Sequence, residues 1–510
     1  MIFDANNTKQ NIPSSEICII GSGIAASILA LELLDSDISF VMIEAGDFTN
    51  PSSDAVEREN VGRDFVVEPT TATAVGGTSS LWHGVIAPLD KLDFAKRKWV
   101  PHSGWPITYT HLQKYYEAAG KRLFSNDHQL FKKHRLPYKL FTQLSKLKFN
   151  RDILENKIFL RPIPVTRFKD ILRKRLSETK NAHIFYNLCG LELSHGDSKR
   201  VNHLICGNNR GERLNVTAKI FVTCCGALET PRLLLNSGLK NKNLGKFLMD
   251  HPMGTVSQIK FSKKQNLDIY TYASINKNLM VKSGLILKEI VQTERELLNH
   301  CFYTKNAFVR GINKYSEKVL ISLLTIRSGK FSITAILTAL LNPIFIFFVL
   351  SSKLNSKVRY ADLFFVTEQV PNPKSKVTLS EKLDIHGYPI AKIDWQLTQK
   401  DLDSIDEYID TLEAGGFNIG YVSHLDKKER PDWNSTLTSA AHHLGTARMS
   451  ETSATGVVNK DLMVFGSENL FVCDGSVFPT SGNANSSLTI AALSCRLADH
   501  LTYRIQSKKI

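Results

Sequence analysis

Residues 17–44 constrain the fold more than any other stretch. Ile17-Cys18-Ile19-Ile20 is a short apolar run of the kind that forms a buried parallel strand. Gly21, Gly23 and Ala26 follow in G-x-G-x-x-A spacing, and Ile28-Leu29-Ala30-Leu31-Glu32-Leu33-Leu34 then has helical periodicity. Ser39-Phe40-Val41-Met42-Ile43 reads as a second strand, closed by Glu44. This order describes one half of a doubly wound α/β sheet with a dinucleotide at its edge. Gly21 permits the tight turn, Gly23 lets the backbone approach a pyrophosphate, and Ala26 allows close helix–strand packing. Glu44 can hydrogen-bond a ribose hydroxyl, and its charge disfavours a 2′-phosphate and so NADP. The competing reading is a tight turn in an unrelated α/β fold.

At 510 residues the chain exceeds one simple core, so two intertwined domains are expected. The formal net charge of +15 admits nucleic acid, an anionic membrane or an acidic substrate as partner. No nucleic-acid motif occurs and the lysines are scattered, which favours a membrane surface or an anionic substrate. The eight cysteines show no CxxC or metal-ligand spacing, so no metal site is expected. They read as small buried hydrophobes in a reducing compartment. The first residues, up to Glu16, are polar and carry no apolar leader, and a cytoplasmic protein is expected.

Three further segments carry chemistry. Val75-Gly76-Gly77-Thr78-Ser79-Ser80-Leu81-Trp82-His83-Gly84 is a second glycine-rich loop. Beside a dinucleotide site, Gly76, Gly77, Thr78 and Ser79 offer backbone contact to a flat cofactor ring, and Trp82 can wall it. Read alone, the segment is a surface loop with an aromatic anchor. Ala441-His442-His443-Leu444-Gly445-Thr446 offers an imidazole, and a neutral imidazole near pH 7 suits the base that takes an alcohol proton. Gly482-Asn483-Ala484-Asn485 is a turn whose last residue offers an amide N–H to the same oxygen. Ser486 follows, and residues 487–499 read as a helix whose positive N-terminus can face an anionic cofactor ring. Asp474-Gly475 ends the apolar strand Leu470-Phe471-Val472-Cys473. His443, His251 and His83 are read first as structural histidines, the last two also as pocket candidates. For His442 the competing reading is a satisfied core histidine.

Together these segments resemble the glucose-methanol-choline (GMC) family of FAD oxidoreductases, in order and over nearly the whole chain. The resemblance runs through the Gly21 loop, Glu44 and the GGTSSLWHG loop. It continues through Gly104-Trp105-Pro106-Ile107, residues 222–234, Leu248-Met249-Asp250-His251-Pro252, residues 373–395 and the C-terminal region 466–501. It implies FAD and oxidation of a primary or secondary alcohol. The family histidine of H-x-x-G-T falls on His442, and its partner on Asn485. The His-plus-Asn version is similar to the pyranose oxidase and sugar dehydrogenase branch, or to cholesterol oxidase. It also places Asp474 and Gly475 near the ribityl chain of FAD. Two departures matter. Leu81 stands where pyranose oxidase has the histidine that bonds FAD covalently, which implies noncovalent FAD. Asn485-Ser486-Ser487 replaces the usual Asn-Pro-Thr, which leaves the contacts at the helix start open.

The expected fold is α/β, or α+β overall. A discontinuous Rossmann-like FAD-binding domain (1–98, 159–252 and 432–510) accompanies a substrate-binding domain (99–158 and 253–431) built on an antiparallel sheet with helices. The expected substrate is a small-molecule alcohol, with sugars and glycosides as candidates. Oxygen, a quinone or a redox protein could each reoxidise the flavin. A GMC-type lyase without net redox change and a basic flavoprotein acting on RNA are the alternative functions. The charge-free run 333–350 is roughly 18 residues long, the lower edge of a membrane span. A single crossing would separate Gly21 from His442, and Asn342-Pro343 breaks its middle. It is expected to dip into a membrane face, to form an oligomer contact or to cap the substrate pocket.

Overall fold

The computed structural model describes residues 1–7, 11–49, 57–63, 71–124, 149–196, 199–265, 267, 273–307, 358–416, 422–423 and 432–507. The run 333–350 lies outside the described residues.

A six-stranded sheet forms the first layer, and every neighbouring pair in it is parallel. Its strand order is Ile2–Asp4, Ala182–Tyr186, Phe40–Ile43, Ser15–Ile20, Ala218–Thr223 and Leu470–Val472. The strands come from regions far apart in sequence. Ile17, Cys18, Ile19, Phe40, Val41, Met42, Ile220, Phe221 and Val222 are fully buried, as a sheet covered on both faces requires. Helix Ile24–Asp35 follows the first glycine turn and packs against the C-terminal helix Ser487–Gln506. That helix also packs on Tyr109–Leu123, whose start is capped by the Thr108 hydroxyl accepting the His111 N–H at 3.2 Å.

The second layer is an antiparallel seven-stranded sheet. Its order is Ala273–Asn276, Leu279–Leu287, Cys301–Ala307, Val358–Val366, Met253–Gln265 and Val422–Ser423, with Leu154–Pro162 also paired to Leu279–Leu287. Leu154–Pro162 runs through the expected domain boundary at residue 159 as one strand. Arg58–Asn60 joins the hairpin Lys376–Leu383 and Pro389–Asp394 in a small sheet, so the N-terminal region also reaches across. Arg97 and Glu368, both almost fully buried, form a two-pronged ion pair between the regions. All eight cysteines are free.

Candidate active site

The carboxyl ends of four parallel strands bring the expected cofactor residues together, which is where open α/β sheets bind ligands. Gly21 follows the first of these strands with φ +98, and a Cβ there would sit 2.7 Å from the Cys224 carbonyl oxygen. Only glycine fits that turn. Gly23, by contrast, faces open space: a Cβ would meet nothing within 4 Å. Ala26 is fully buried in the first turn of the helix. The second glycine loop lies directly against the first, since a Cβ on Gly77 would come 2.8 Å from the Gly23 Cα.

Ser22, read in the sequence only as a spacer, ties these parts together. Its hydroxyl donates to Glu44 Oε2 at 2.6 Å and accepts the Gly76 N–H at 3.0 Å. Glu44 Oε1 accepts the Gly46 N–H at 2.8 Å. Burial pushes the Glu44 carboxyl up to about 7, against the pull of those hydrogen bonds. In the Gly76 loop, the Ser79 hydroxyl donates to the Gly76 carbonyl at 2.5 Å. Thr78 sits in the short helical turn Gly77–Ser80. Trp82 is half-buried, with its indole N–H donating to the Thr166 carbonyl at 3.0 Å. Arg167 braces the loop by donating to the carbonyls of Ser79 and Trp82.

Asp474 joins this cradle to the histidine segment. Its carboxylate accepts from the Gly226 N–H at 2.9 Å, the Thr230 hydroxyl at 2.6 Å and the Ser476 N–H at 2.8 Å. A Cβ on Gly475 would lie 2.7 Å from the His443 carbonyl oxygen, and Gly475 in turn accepts the Gly445 N–H at 3.1 Å. Ser486 is buried at the start of the C-terminal helix, and no side chain caps that end. Its first N–H groups are therefore donors for a ligand atom. The open faces at Gly23 and Gly226, the buried acid and the uncapped helix start fit a flavin dinucleotide.

His442 and Asn485 meet at the far end. Asn485 Nδ2 lies 3.1 Å from His442 Nε2. Both residues keep part of their surface exposed, whereas Ser481, Gly482, Asn483 and Ala484 are buried beneath them. His251 Nδ1 lies 2.8 Å from His442 Nδ1, and His251 Nε2 lies 3.1 Å from the Ser481 carbonyl oxygen. Backbone register explains the meeting: Met249 and Leu444 exchange N–H to carbonyl bonds at 2.9 Å in an antiparallel bridge. Two steps along each chain in opposite directions reach His251 and His442. Asp250 anchors the turn, accepting the backbone N–H of His251, Ala440 and His442 and the Ser439 hydroxyl.

Burial lowers His442 well below the ordinary histidine value, with His251, His443 and His83 adding to it. Burial also lowers His251, to about 4, and His443, to about 3. At neutral pH His442 is therefore the free base. Burial raises Asp250 to about 6. His443 Nε2 lies 3.7 Å from Asp250 Oδ2. Beneath the turn, Asn483 donates to Asn299 at 2.7 Å, and Asn299 donates to Asp90 and Asp93 at 2.9 Å each. Sequence reasoning missed Ser22, Asp250 and this network, and gave His251 a structural role first. No sequence signal pointed to them, because the segments around His251 and His442 meet only through the bridge between Met249 and Leu444.

The sequence profile of GMC oxidoreductases matches residues 170–253 and 371–494. The chain carries both the N-terminal and the C-terminal GMC oxidoreductase regions. The 2-methyl-1,2-propanediol dehydrogenase of Mycolicibacterium austroafricanum is 26% identical over 317 residues, 58% of this chain and 50% of that protein. The chain thus spans about half the length of that relative. The 6'''-hydroxyparomomycin C oxidase of Streptomyces lividus is 22% identical, with 95% of this chain and 92% of that one covered. Among solved structures, pyridoxine 4-oxidase from Mesorbium loti superposes with a TM-score of 0.54 and 18% identity, over 96% of this chain and 99% of that one. This last likeness speaks to the fold alone. Among the described residues, no helix is long and apolar enough to cross a membrane.

Proposed function

We propose that this GMC chain oxidises an alcohol group of a small molecule, with His442 as base and FAD as cofactor. The observation that carries the reading is the 3.1 Å pairing of His442 Nε2 with Asn485 Nδ2, both partly exposed. Gly21, Gly23, Ala26, Glu44, Gly76, Gly77, Thr78, Ser79, Trp82, Asp474, Gly475, Asn485 and Ser486 would hold the cofactor. When bound, FAD supplies the two-electron acceptor for the hydride that leaves the alcohol carbon.

The chain's own residues handle the proton and the oxygen. His442 Nε2 takes the hydroxyl proton as the carbonyl bond forms. Nε2 has one lone pair, so the alcohol hydroxyl takes the place of the Asn485 N–H on it, and Asn485 Nδ2 then donates to the substrate oxygen, orienting the alcohol and steadying negative charge. The helix start at Ser486 adds positive potential. Leu81 carries no nucleophile, which supports noncovalent FAD. The domain division is proposed as 1–98, 159–252 and 432–510 for the cofactor and 99–158 and 253–431 for the substrate. The relatives' names, a 2-methyl-1,2-propanediol dehydrogenase and a 6'''-hydroxyparomomycin C oxidase, favour a hydroxyl-bearing small molecule, and we take a sugar or glycoside as the candidate. They lend no support to a lyase or an RNA-acting flavoprotein. On sequence grounds alone, 333–350 is proposed as a membrane or oligomer contact. Its deletion should then change binding to anionic vesicles or oligomeric state, and unchanged behaviour in both would refute it.

The test is an anaerobic screen of sugars, glycosides, sterols and simple alcohols, following flavin absorbance. Loss of the oxidised flavin band with at least one alcohol supports the reading. An oxidised flavin that no alcohol bleaches refutes it.

A further inference from the structure

We propose that His251 is a positioning residue that fixes His442 in the tautomer whose Nε2 carries the lone pair. Its consequence for turnover rests on the alcohol-oxidation reading above, because the tautomer matters only if Nε2 must accept a proton.

The assignment follows from both ends of one hydrogen-bonded chain. At one end, Asn485 Nδ2 can only donate, so His442 Nε2 at 3.1 Å must accept. A neutral imidazole then carries its proton on Nδ1, which donates to His251 Nδ1 at 2.8 Å. At the other end, the Ser481 carbonyl can only accept, so His251 Nε2 at 3.1 Å must donate. That leaves His251 Nδ1 as the acceptor His442 needs. The two ends give the same answer independently. The opposite tautomer of His442 would set two donors against each other at Asn485 and two lone pairs against each other at His251.

Both ring nitrogens of His442 are taken by His251 and Asn485, so among the described residues no carboxylate takes this orienting role. The oxygens of Asp250 serve the backbone N–H groups of His251, Ala440 and His442 and the Ser439 hydroxyl. The other ionisable groups that act on the pair are His443 and His83 around His442, and Glu368 and Lys157 around His251. The chain ends on a carbonyl, which cannot take up a proton. His251 therefore orients His442 and steadies its protonated form, and it does not relay the proton away. His251 is fully buried and the antiparallel register at Met249 and Leu444 holds it opposite His442, so its ring has little freedom to turn.

The experiment uses the FAD-loaded enzyme labelled with [15N]histidine, and the variants His251→Leu and His251→Asn. Two-bond 1H–15N correlation reads the tautomer, with His442→Ala assigning the resonance. Anaerobic stopped-flow with an alcohol separates the saturating reduction rate from alcohol affinity. We expect wild-type His442 to carry its proton on Nδ1. His251→Leu should deplete that tautomer and lower the saturating rate by roughly ten- to hundredfold, with alcohol affinity little changed. A wrong tautomer costs a serine protease about 10⁴, but there a carboxylate holds the ring. His251→Asn places an acceptor oxygen near the lost Nδ1. It should restore the tautomer and bring the rate back to within roughly fivefold. A proton on Nε2 of wild-type His442 would overturn the proposal without any variant. An unchanged tautomer and rate in His251→Leu would overturn it equally. A tautomer shift in His251→Leu with no alcohol reducing the wild type would uphold the positioning role and sink the alcohol reading instead.

Discussion

Glu44 should cost the empty protein stability at neutral and alkaline pH, and Glu44→Gln should recover it. The carboxyl is buried and is raised from an ordinary 4.5 to about 7. A folded value above the unfolded one means the native state holds its proton more tightly. The resulting stability is fully present below pH 4.5 and is lost as pH rises through about 7. At about 1.4 kcal/mol per pH unit, the ionised carboxylate costs about 3 kcal/mol at pH 8 and under about 1 kcal/mol at pH 5. Glutamine can keep the local network. Its oxygen can accept the Gly46 N–H, and its amide can donate to the Ser22 hydroxyl. That hydroxyl still accepts from Gly76 and can turn to the Ala74 carbonyl, 3.4 Å away. Urea unfolding of the FAD-free chain at pH 5 and pH 8 measures the effect. The variant should gain up to about 3 kcal/mol at pH 8 and little at pH 5. Its affinity for FAD should fall by about tenfold, because a charged acceptor for a ribose hydroxyl has become neutral. Equal gains at both pH values, or a variant less stable at pH 8, would refute the reasoning.

Two other outcomes follow from the structure and the sequence. Acid precipitation should release the yellow colour into the supernatant, because Leu81 offers no covalent link; colour kept in the washed pellet would contradict this. Glu368→Gln should destabilise the fold by about 3–5 kcal/mol in chemical unfolding, because it leaves the Arg97 guanidinium buried without its counter-charge; a change under about 1 kcal/mol would show that the pair contributes little.

The first layer of the fold was legible because its signals are local. Ile17–Ile20, the glycine spacing, the helix and Glu44 are contiguous, and each element formed where the pattern placed it. The strands at 182–186, 218–223 and 470–472 and the helix after Asn485 were also readable from apolar runs. The antiparallel layer was less legible. Met253–Gln265 mixes polar residues with scattered apolar ones such as Val256, Ile259 and Phe261, and pairs with a strand about a hundred residues away. Ser22 was invisible because a serine between two glycines looks like a spacer until Glu44 and Gly76 close around it. His251 and His442 are 191 residues apart, and only the bridge between Met249 and Leu444 brings them together. The His442–Asn485 pair was readable through the family resemblance, with no help from periodicity.

The most direct test of the account is the anaerobic rate of flavin reduction by an alcohol in His442→Ala, measured by stopped-flow after the FAD spectrum is recorded. The cofactor cradle lies in other segments, so the spectrum should be nearly intact. Reduction should slow by roughly a hundredfold to ten-thousandfold, the usual worth of a positioned base, and the loss should shrink at high pH, where solvent can take the proton. Asn485→Ala should slow reduction with a weaker pH effect, because the amide does not titrate. His443→Ala should cost less than His442→Ala, because it is His442 that pairs with Asn485, whereas His443 Nε2 lies near Asp250. Normal reduction in FAD-loaded His442→Ala, or greater damage from His443→Ala, would contradict the assignment.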